Sequence, residues 1–366
     1  MRSQEDQVWY HVDVNSAYLS WTAAYRVCIL GEDLDLRDIP SVIGGSEAER
    51  HGIVLAKSGS AKRYGIRTGE TLAEARCKCP GLVIVPPDYS LYVSCSKALV
   101  ELLKKYFPHV HQYSIDEAFC RVEGTKGLWG THTAFAHQLK EEIRRELGFT
   151  VNIGVSDCKL LAKMASEFQK PDQVHTLFTR EIERKMWPLP VSDLFWVGPA
   201  TVRKLGALGI RTIGELAVMD LELLKRHLKK QGEFIWNYAN GRDVSPFLRE
   251  LPRNKGYGNS MTTPFDVTDR ETAWQVILSL TETVCARLRA DGMEAACVGI
   301  SITDREFRHG SVQTTLISAT DTTLEIYEAA RSLFDRLWNH SPIRQMGVHT
   351  SKVSPKGHYQ YQLFDR

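Results

Sequence analysis

With 366 residues, 43% of them hydrophobic and 25% charged, the chain has the composition of an ordinary soluble globular protein, and its length favours two to four domains. It contains no apolar run near the ~20 residues that span a bilayer, no secretory signal pattern and only scattered cysteines, so we expect a cytoplasmic protein with reduced thiols. The net charge of +2 excludes little, but basic clusters recur while acids gather near Asp13, Asp116 and Glu117. This distribution suits a metal-holding enzyme that binds a polyanion, and solvated helix faces are the alternative.

The first half of the chain alternates between strand-like and helix-like segments. Residues 8–19 are predicted to form a strand, and two short strand-like runs then precede helical stretches that end at Pro80-Gly81. The same alternation continues to about residue 175, which predicts an α/β sheet domain with a small insertion after its first strand. Its later elements are predicted as strands over 81–88, 109–122 and 149–156 and helices over 90–107, 132–147 and 158–168.

The composition changes after about residue 180. Short helices joined by glycine turns continue to Asn240-Gly241, which predicts a small all-helical module, and the basic, turn-rich stretch that follows is typical of a linker. From about residue 257 the predicted order is strand, helix, strand, strand, helix, strand. This βαββαβ order is that of a ferredoxin-like split βαβ unit.

Three acids of the first domain stand out because they fall on strands of the same predicted sheet. Asp13 belongs to the first strand, and Asp116 and Glu117 are adjacent on a later one. If these strands are neighbours the carboxylates converge, which is costly without cations, and oxygen ligands alone select Mg²⁺ or Mn²⁺. Two such ions are the usual device for nucleotidyl transfer. The alternative, which a bare Asp-Glu pair would favour, is that Asp116 caps a bend and Glu117 points to solvent.

Other motifs turn this balance towards a metal site. "VDVNSAY" on the first strand, "YSIDEAF" on the later one and "GVSDCKLLAKMASEFQKP" after it resemble the three palm motifs of the Y-family (UmuC-like, DNA polymerase IV-like) translesion DNA polymerases. "LFWVGPATVRKLGALGIRTIGEL" resembles the helix-hairpin-helix thumb of that family, and "IRQMGVHTSKV" resembles the last strand of its little finger. The resemblance therefore covers essentially the whole chain.

The resemblance implies an α+β multidomain fold, a right-hand polymerase with a ferredoxin-like palm, small fingers, a helix-hairpin-helix thumb and a βαββαβ little finger. On this sequence the implied parts are the palm (1–20 and 86–178), fingers (21–85), thumb (179–245), linker (246–256), little finger (257–354) and tail (355–366).

The resemblance also implies roles for residues of the palm. Asp13, Asp116 and Glu117 would bind two Mg²⁺ ions, with Mn²⁺ as a substitute, and the backbone carbonyl of Val14 would complete one metal shell. Tyr18 falls at the steric-gate position, where a ring beneath the sugar excludes a 2′-hydroxyl; a core tyrosine is the alternative. The nucleotide-binding residues would be Ser16, Ala17, Tyr18, Lys62, Arg63 and Lys170.

The chain departs from the family pattern in three places, of which Cys158, where many relatives have an asparagine, is a small one. Asn15 stands where many members carry a second acid. Gly59 and Lys62 stand where the family places a tyrosine and an arginine that clamp the β- and γ-phosphates. Lys62 keeps a positive charge without the guanidinium fork, so we expect triphosphate binding to be weaker or differently arranged, with Arg63 or Lys57 as compensating cations.

DNA and a sliding clamp are the implied macromolecular partners. Glycine turns and basic side chains would contact DNA phosphates without reading bases. The tail "QYQLF" resembles the pentapeptide by which bacterial polymerases bind the clamp, with Gln360, Leu363 and Phe364 as its anchors. The DNA-binding residues would be Gly198, Arg203, Lys204, Gly209, Arg211, Arg253, Lys255, Arg305 and Arg308.

These observations predict a DNA-directed DNA polymerase that performs low-fidelity translesion synthesis by two-metal transfer of deoxynucleotides to a primer 3′-hydroxyl. It would act as a monomer on primer-template DNA, with no membrane association. The competing hypothesis is a catalytically weak accessory protein that binds DNA and recruits other polymerases, but such a protein is expected to lose the acids. A nucleotide cyclase is a third, weaker hypothesis, because it leaves the thumb and tail motifs without a role.

Overall fold

A computed structural model describes residues 7–46, 50, 52–123, 130–244 and 254–357, which form two compact units. Unit 1 takes its described residues from 7–44 and 53–244, and unit 2 takes them from 45–46, 50, 52 and 254–357. Within these ranges no helix has the length and apolarity that crossing a membrane requires.

Unit 1 is built on a five-stranded sheet and a smaller three-stranded sheet, followed by a helical module. Its strands are β1 (Gln7–Val14), β2 (Ser41–Gly44), β3 (Val54–Lys57), β4 (Val83–Val85), β5 (His109–Gln112), β6 (Glu117–Glu123), β7 (Val151–Ser156) and β8 (Val174–Thr176). Its helices are α1 (Ala17–Cys28), α2 (Gly59–Arg63), α3 (Leu72–Lys78), α4 (Tyr89–Lys104), α5 (His132–Leu147), α6 (Lys159–Glu167), α7 (Ile182–Lys185), α8 (Pro199–Ala207), α9 (Ile213–Ala217), α10 (Leu221–Leu228) and α11 (Lys230–Ala239).

The large sheet places β1 between its two antiparallel neighbours, in the order β5-β6-β1-β7-β8. Asp13, near the end of β1, lies opposite Glu117 on β6 and opposite Asn152 on β7. The prediction that the two acid-bearing strands are neighbours is therefore confirmed. The small sheet has the order β3-β2-β4.

Two details of the predicted strands are wrong. The strand expected over 8–19 ends at Val14, because Ser16 adopts a left-handed conformation (φ 49°) and turns the chain into α1. Asp116 is not on a strand, since β6 begins at Glu117 and the preceding turn is closed by the Tyr113 and Ser114 N–H groups, which donate to the Glu117 carbonyl. Only one of the adjacent acids therefore belongs to the strand.

Helix α6 lies unusually close to the sheet because β7 carries a glycine at the contact. A Cβ atom on Gly154 would lie 1.9 Å from the Ala162 carbonyl oxygen and 2.5 Å from the Ser166 nitrogen. A larger residue would clash with the helix backbone at these distances, so glycine permits the approach. The close approach sets the height of the α6 side chains over β1.

The helical module predicted after residue 180 is confirmed by α7–α11, whose apolar residues share one core with α6. The turn between α8 and α9 contains Gly209 at φ +80°, a conformation that favours glycine. Gly198 lies at the N-cap position of α8 with φ −86°, a conformation open to any residue, and its predicted contact with DNA phosphates stays a prediction.

Unit 2 confirms the predicted βαββαβ order. Its sheet has the order β11-β10-β12-β9 with all neighbours antiparallel, so each βαβ unit is split by a strand of the other. Both helices contribute apolar side chains to the core of this unit. The elements are β9 (Gly256–Val267), α12 (Arg270–Ala290), β10 (Met293–Asp304), β11 (His309–Thr320), α13 (Thr323–Leu337) and β12 (Ile343–Pro355).

Candidate active site

Three carboxylates from β1, β6 and α6 meet in unit 1. One oxygen from each of Asp13, Glu117 and Glu167 lies within 4.8 Å of the others. Two ammonium groups hold them together. The Nζ of Lys163 lies 2.7 Å from Glu117, 3.1 Å from Glu167 and 3.6 Å from Asp13. The Nζ of Lys170 lies 3.0 Å from Asp13 and 2.9 Å from Glu167.

Burial and ion pairing shift the pKa values of this cluster in opposite directions. Burial raises the pKa of Asp13 to about 6, although Lys170 and Lys163 oppose the change. Burial alone would lower the pKa of Lys163, but Glu117, Asp13 and Glu167 reverse this and raise it. The acids are thus compensated by cations, and Asp13 and Lys163 are buried, where an unpaired charge would be costly.

The donor set fits a divalent metal. Carboxylate oxygens are the ligands that hard cations such as Mg²⁺ and Mn²⁺ prefer, and three of them already converge without rearrangement of the sheet. Asp13 and Glu117 were predicted for this role, whereas Glu167 was not. The Glu167 carboxylate, on the last turn of α6, was missed because sequence motifs alone do not tell which side of the helix faces β1.

Asp116 takes a different position from the other predicted acids. Its carboxylate accepts a hydrogen bond of 2.6 Å from the Ser114 hydroxyl, and its backbone carbonyl accepts one from the Val14 N–H. It lines the same cavity but is not one of the three converging acids. Its predicted part in metal binding stays a prediction.

A fully buried histidine, His11, contacts the carboxylate cluster. The Nδ1 atom of His11 lies 2.7 Å from the Ser166 hydroxyl, and its Nε2 atom lies 3.5 Å from a Glu117 oxygen. Burial, followed by the charge on Lys163, lowers the pKa of His11 to about 3, so the ring is neutral. It therefore packs against Glu117 without adding charge. Neither His11 nor Lys163 was predicted as part of the site.

The carboxylates open onto a cavity of about 390 Å³. Most of the predicted nucleotide-binding residues border it, including Ser16, Ala17 and Lys170. Lys62 and Arg63 are not in its lining; Arg63 instead borders a second cavity beside Ser60. The residues that line the first cavity are Asp13, Val14, Ser16, Ala17, Tyr18, Leu55, Ala56, Lys57, Thr68, Ile115, Asp116, Glu117, Glu167 and Lys170.

Tyr18 forms one wall of this cavity from the first turn of α1. Its half-buried ring stacks on that of Tyr92, with centroids 4.4 Å apart and planes 10° apart. The Tyr92 hydroxyl lies 3.3 Å from the Thr22 hydroxyl, which itself donates to the Tyr18 carbonyl. The stacking fixes the orientation of the Tyr18 ring, as a steric wall requires.

Asn15 has a structural role in place of the acid that many family members carry. Its Nδ2 atom donates to the Asn152 Oδ1 atom at 3.1 Å, and its Oδ1 atom accepts from the Thr150 hydroxyl and the Asp172 N–H. The side chain is buried and is not in the cavity lining. The amide thus joins β1 to β7 and to the segment after α6.

The predicted DNA-binding residues differ in their ion pairing, and some lie outside the described residues. Arg203, Lys204 and Arg211 lie exposed around the α8–α9 turn of unit 1. In unit 2, Lys255 and Arg305 are exposed, but Arg308 is paired with Asp304 and Glu306 at 2.7 and 2.8 Å, which offsets its charge. Arg253 and the tail residues Gln360, Leu363 and Phe364 lie outside the described residues.

A sequence signal for two of the missed residues exists in hindsight. Lys163 and Glu167 are four residues apart on α6, which puts them on one face of the helix. Lys170 follows three residues later and reaches the same acid. This spacing runs through the third palm-like motif and indicates a charged face on the helix, although not the direction of that face.

Comparison with known proteins gives two family matches. Residues 12–167 match the impB/mucB/samB family, and residues 254–363 match the C-terminal domain of that family.

Individual relatives match over nearly the whole chain. The DNA polymerase IV of Clostridium acetobutylicum is 45% identical over 98% of this chain and 90% of its own length. The DNA polymerase IV of Acetivibrio thermocellus is 39% identical over 95% of this chain and 86% of its own. Among solved structures, a Y-family DNA polymerase chimera of Dbh and Dpo4 shares the fold, with a TM-score of 0.81 and 18% identity over 95% of this chain and all of the other.

Proposed function

The chain belongs to the impB/mucB/samB family, the Y-family DNA polymerases, and we propose that its carboxylate cluster is the centre at which deoxynucleotides are joined to a primer. It is a DNA-directed DNA polymerase of the translesion class. The observation that carries the proposal is the convergence of Asp13, Glu117 and Glu167 at a cavity that also contains Tyr18 and Lys170.

Divalent metal use follows from the family, and we assign it to two Mg²⁺ ions, with Mn²⁺ as a substitute. When bound, such ions lower the pKa of the attacking hydroxyl and neutralise charge on the phosphates. Asp13, Glu117 and Asp116 would supply the carboxylates, and the Val14 carbonyl would add a neutral oxygen. Glu167 joins them as a further ligand or as the acid that holds Lys163 and Lys170 in place.

The remaining lining residues hold the nucleotide. The N–H groups of Ser16, Ala17 and Tyr18 lie at the start of α1, where the helix dipole favours phosphate oxygens. Lys170 adds an ammonium group near the acids. The Tyr18 ring, held by Tyr92, excludes a 2′-hydroxyl beneath the sugar.

Partners beyond the nucleotide follow from charge and from the tail motif. We assign DNA phosphates to Arg203, Lys204 and Arg211 around the α8–α9 turn, and to Lys255 and Arg305 of unit 2. Such contacts are sequence-independent and weaken steeply with salt. The tail would bind a sliding clamp, and the protein would act as a cytoplasmic monomer with low fidelity.

The accessory-protein alternative is not favoured. The relatives that match over most of the chain carry the name of a polymerase, and the acids that such a protein could dispense with are present and grouped. A DNA-binding recruiter would need neither the cluster nor the cavity beside it.

Primer extension by the purified protein tests the proposed function. The wild type should add deoxynucleotides opposite an undamaged template and opposite an abasic site when Mg²⁺ is present, and EDTA should abolish both reactions. Removing the last five residues should reduce clamp-stimulated synthesis and leave unstimulated synthesis intact. DNA binding without any extension in Mg²⁺ or Mn²⁺ would refute the polymerase assignment and favour the recruiter.

A further inference from the structure

One lysine of the cavity comes from the small sheet and has no part in the carboxylate cluster. Alternation along β3 puts the side chains of Leu55 and Lys57 on the same face, and both residues line the cavity. The Nζ of Lys57 donates to the Thr68 hydroxyl at 3.1 Å, and Thr68 lines the cavity as well. Lys57 is thus a cation presented to the cavity from an element separate from those that hold the acids.

The charge of Lys57 is less compensated than that of Lys170. Lys170 contacts Asp13 and Glu167 at 3.0 and 2.9 Å. Lys57 has no carboxylate within ion-pair distance in the part of the chain that the structure describes, and its hydrogen-bond acceptor is neutral. Burial, followed by repulsion from Lys62, lowers the pKa of Lys57, although the attraction of Glu70 opposes the change. An anion in the cavity would oppose both effects, because it would stabilise the charged form of Lys57.

The backbone beneath Lys57 is fixed before any ligand arrives. Lys57 pairs with Val42 at the end of β3, and the next residue, Ser58, is almost fully buried. The Ser58 hydroxyl donates to the Ile39 carbonyl and accepts from the N–H groups of Ser41 and Ala61. A cation on such a rigid support is preorganised for binding, which reduces the entropy lost when a ligand is held.

Lys62 and Arg63, the other cations expected from this part of the sequence, do not line the cavity. Arg63 donates to the Ser60 hydroxyl at 3.1 Å and borders the second cavity, and Lys62 is absent from the lining of the first. We propose that Lys57, positioned by Thr68, is the fingers-side residue that binds the triphosphate of the incoming nucleotide, in place of the arginine and tyrosine that this chain lacks. This inference rests on the proposed function of the same site.

The test is the equilibrium binding of dATP to the protein on a primer-template with a dideoxy-terminated primer and a templating thymine. Ca²⁺ replaces Mg²⁺ so that binding is measured without turnover. Lys57→Met should weaken dATP binding roughly 10-fold to 100-fold, the value of a charge-assisted hydrogen bond, while affinity for the primer-template is unchanged. Lys57→Arg should recover most of the loss, and Thr68→Val should show a smaller loss.

A matched control is Lys97→Met, which removes an exposed lysine from α4 outside the cavity and should bind dATP like the wild type. In competition experiments the ratio of the Kd for dAMP to the Kd for dATP should be smaller in Lys57→Met than in the wild type, because the lost contact is to the outer phosphates. Unchanged dATP binding in Lys57→Met, or an equal loss for dATP and dAMP, would overturn the inference. So would a loss in Lys62→Met or Arg63→Met that Lys57→Met does not share.

Failure of this inference is distinguishable from failure of the proposed function. A wild type that extends primers in Mg²⁺, together with a Lys57→Met variant that binds dATP normally, overturns only the role of Lys57. A wild type that binds dATP but extends no primer overturns the polymerase assignment.

Discussion

Restoring the acid that many family members carry at position 15 should destabilise this protein. Asn152 is fixed in orientation because its Nδ2 atom donates to the Ser166 and Gln169 carbonyls at 3.0 and 2.7 Å. Its Oδ1 atom therefore faces the Nδ2 atom of Asn15 at 3.1 Å. In Asn15→Asp the donor becomes an oxygen, and two buried oxygens face each other at that distance.

The expected cost follows from this geometry. The Asn152 Oδ1 atom keeps a hydrogen bond of 3.2 Å from the Gln173 N–H, so the cost comes from replacing the Asn15 hydrogen bond by a contact between two buried oxygens, one of them charged, and about 3 kcal/mol is expected. The Thr150 hydroxyl and the Asp172 N–H can also still donate to the new carboxylate. The loss should therefore be local to the β1–β7 pairing and not abolish folding.

Native-state hydrogen exchange measures this effect where it arises. In EDTA, so that no cation binds the new carboxylate, the amides of residues 151–153 should exchange roughly 100-fold faster in Asn15→Asp than in the wild type. Asn339→Asp is the matched control, since its exposed side chain accepts from the Ser341 N–H and loses no bond. Exchange at the wild-type rate in Asn15→Asp would refute the account of Asn15 as a structural donor.

Two further predictions concern the helix contact and the sugar wall. Gly154→Ala forces a Cβ atom against the backbone of α6, so the free energy of unfolding from urea denaturation should fall by about 1–3 kcal/mol. The control Gly206→Ala has open space around it in α8 and should be neutral or stabilising. Equal stability of Gly154→Ala and the wild type would contradict the close approach. Tyr18→Ala should reduce the preference for dNTP over rNTP by at least about tenfold in single-nucleotide insertion, because the wall beneath the sugar is gone. The control is Tyr25→Ala on the same helix, and an unchanged preference in Tyr18→Ala would remove the steric-gate assignment.

The sequence predicted the elements that hold the site better than it predicted the site itself. The strands that bear Asp13 and Glu117 were recognisable from apolar patterning, and their pairing follows from the sheet order. The contribution of Glu167 depends on the height of α6 over the sheet, which Gly154 sets through a contact between distant segments. Local patterns do not encode such a distance.

The cations that would bind the triphosphate show the same limit of prediction from sequence. Counting residues back from the turn at Gly65 placed Gly59 and Lys62 at the positions that bind phosphate in the family. Both residues belong to the short helix α2, whereas Lys57 belongs to strand β3. Alternation along β3, and not spacing within α2, puts Lys57 into the cavity lining. Asp116 illustrates the opposite case, since its motif was recognised while the turn that removes it from β6 was not.

The most direct test of the carboxylate centre is single-turnover primer extension in Mg²⁺ by Glu117→Gln. The substitution keeps the shape of the side chain and removes the charge that lies 2.7 Å from the Lys163 ammonium group and on the strand position opposite Asp13. The rate of nucleotide addition should fall by at least about 10²-fold while affinity for primer-template DNA stays the same. Extension at the wild-type rate would contradict the claim that these carboxylates form the polymerase active site.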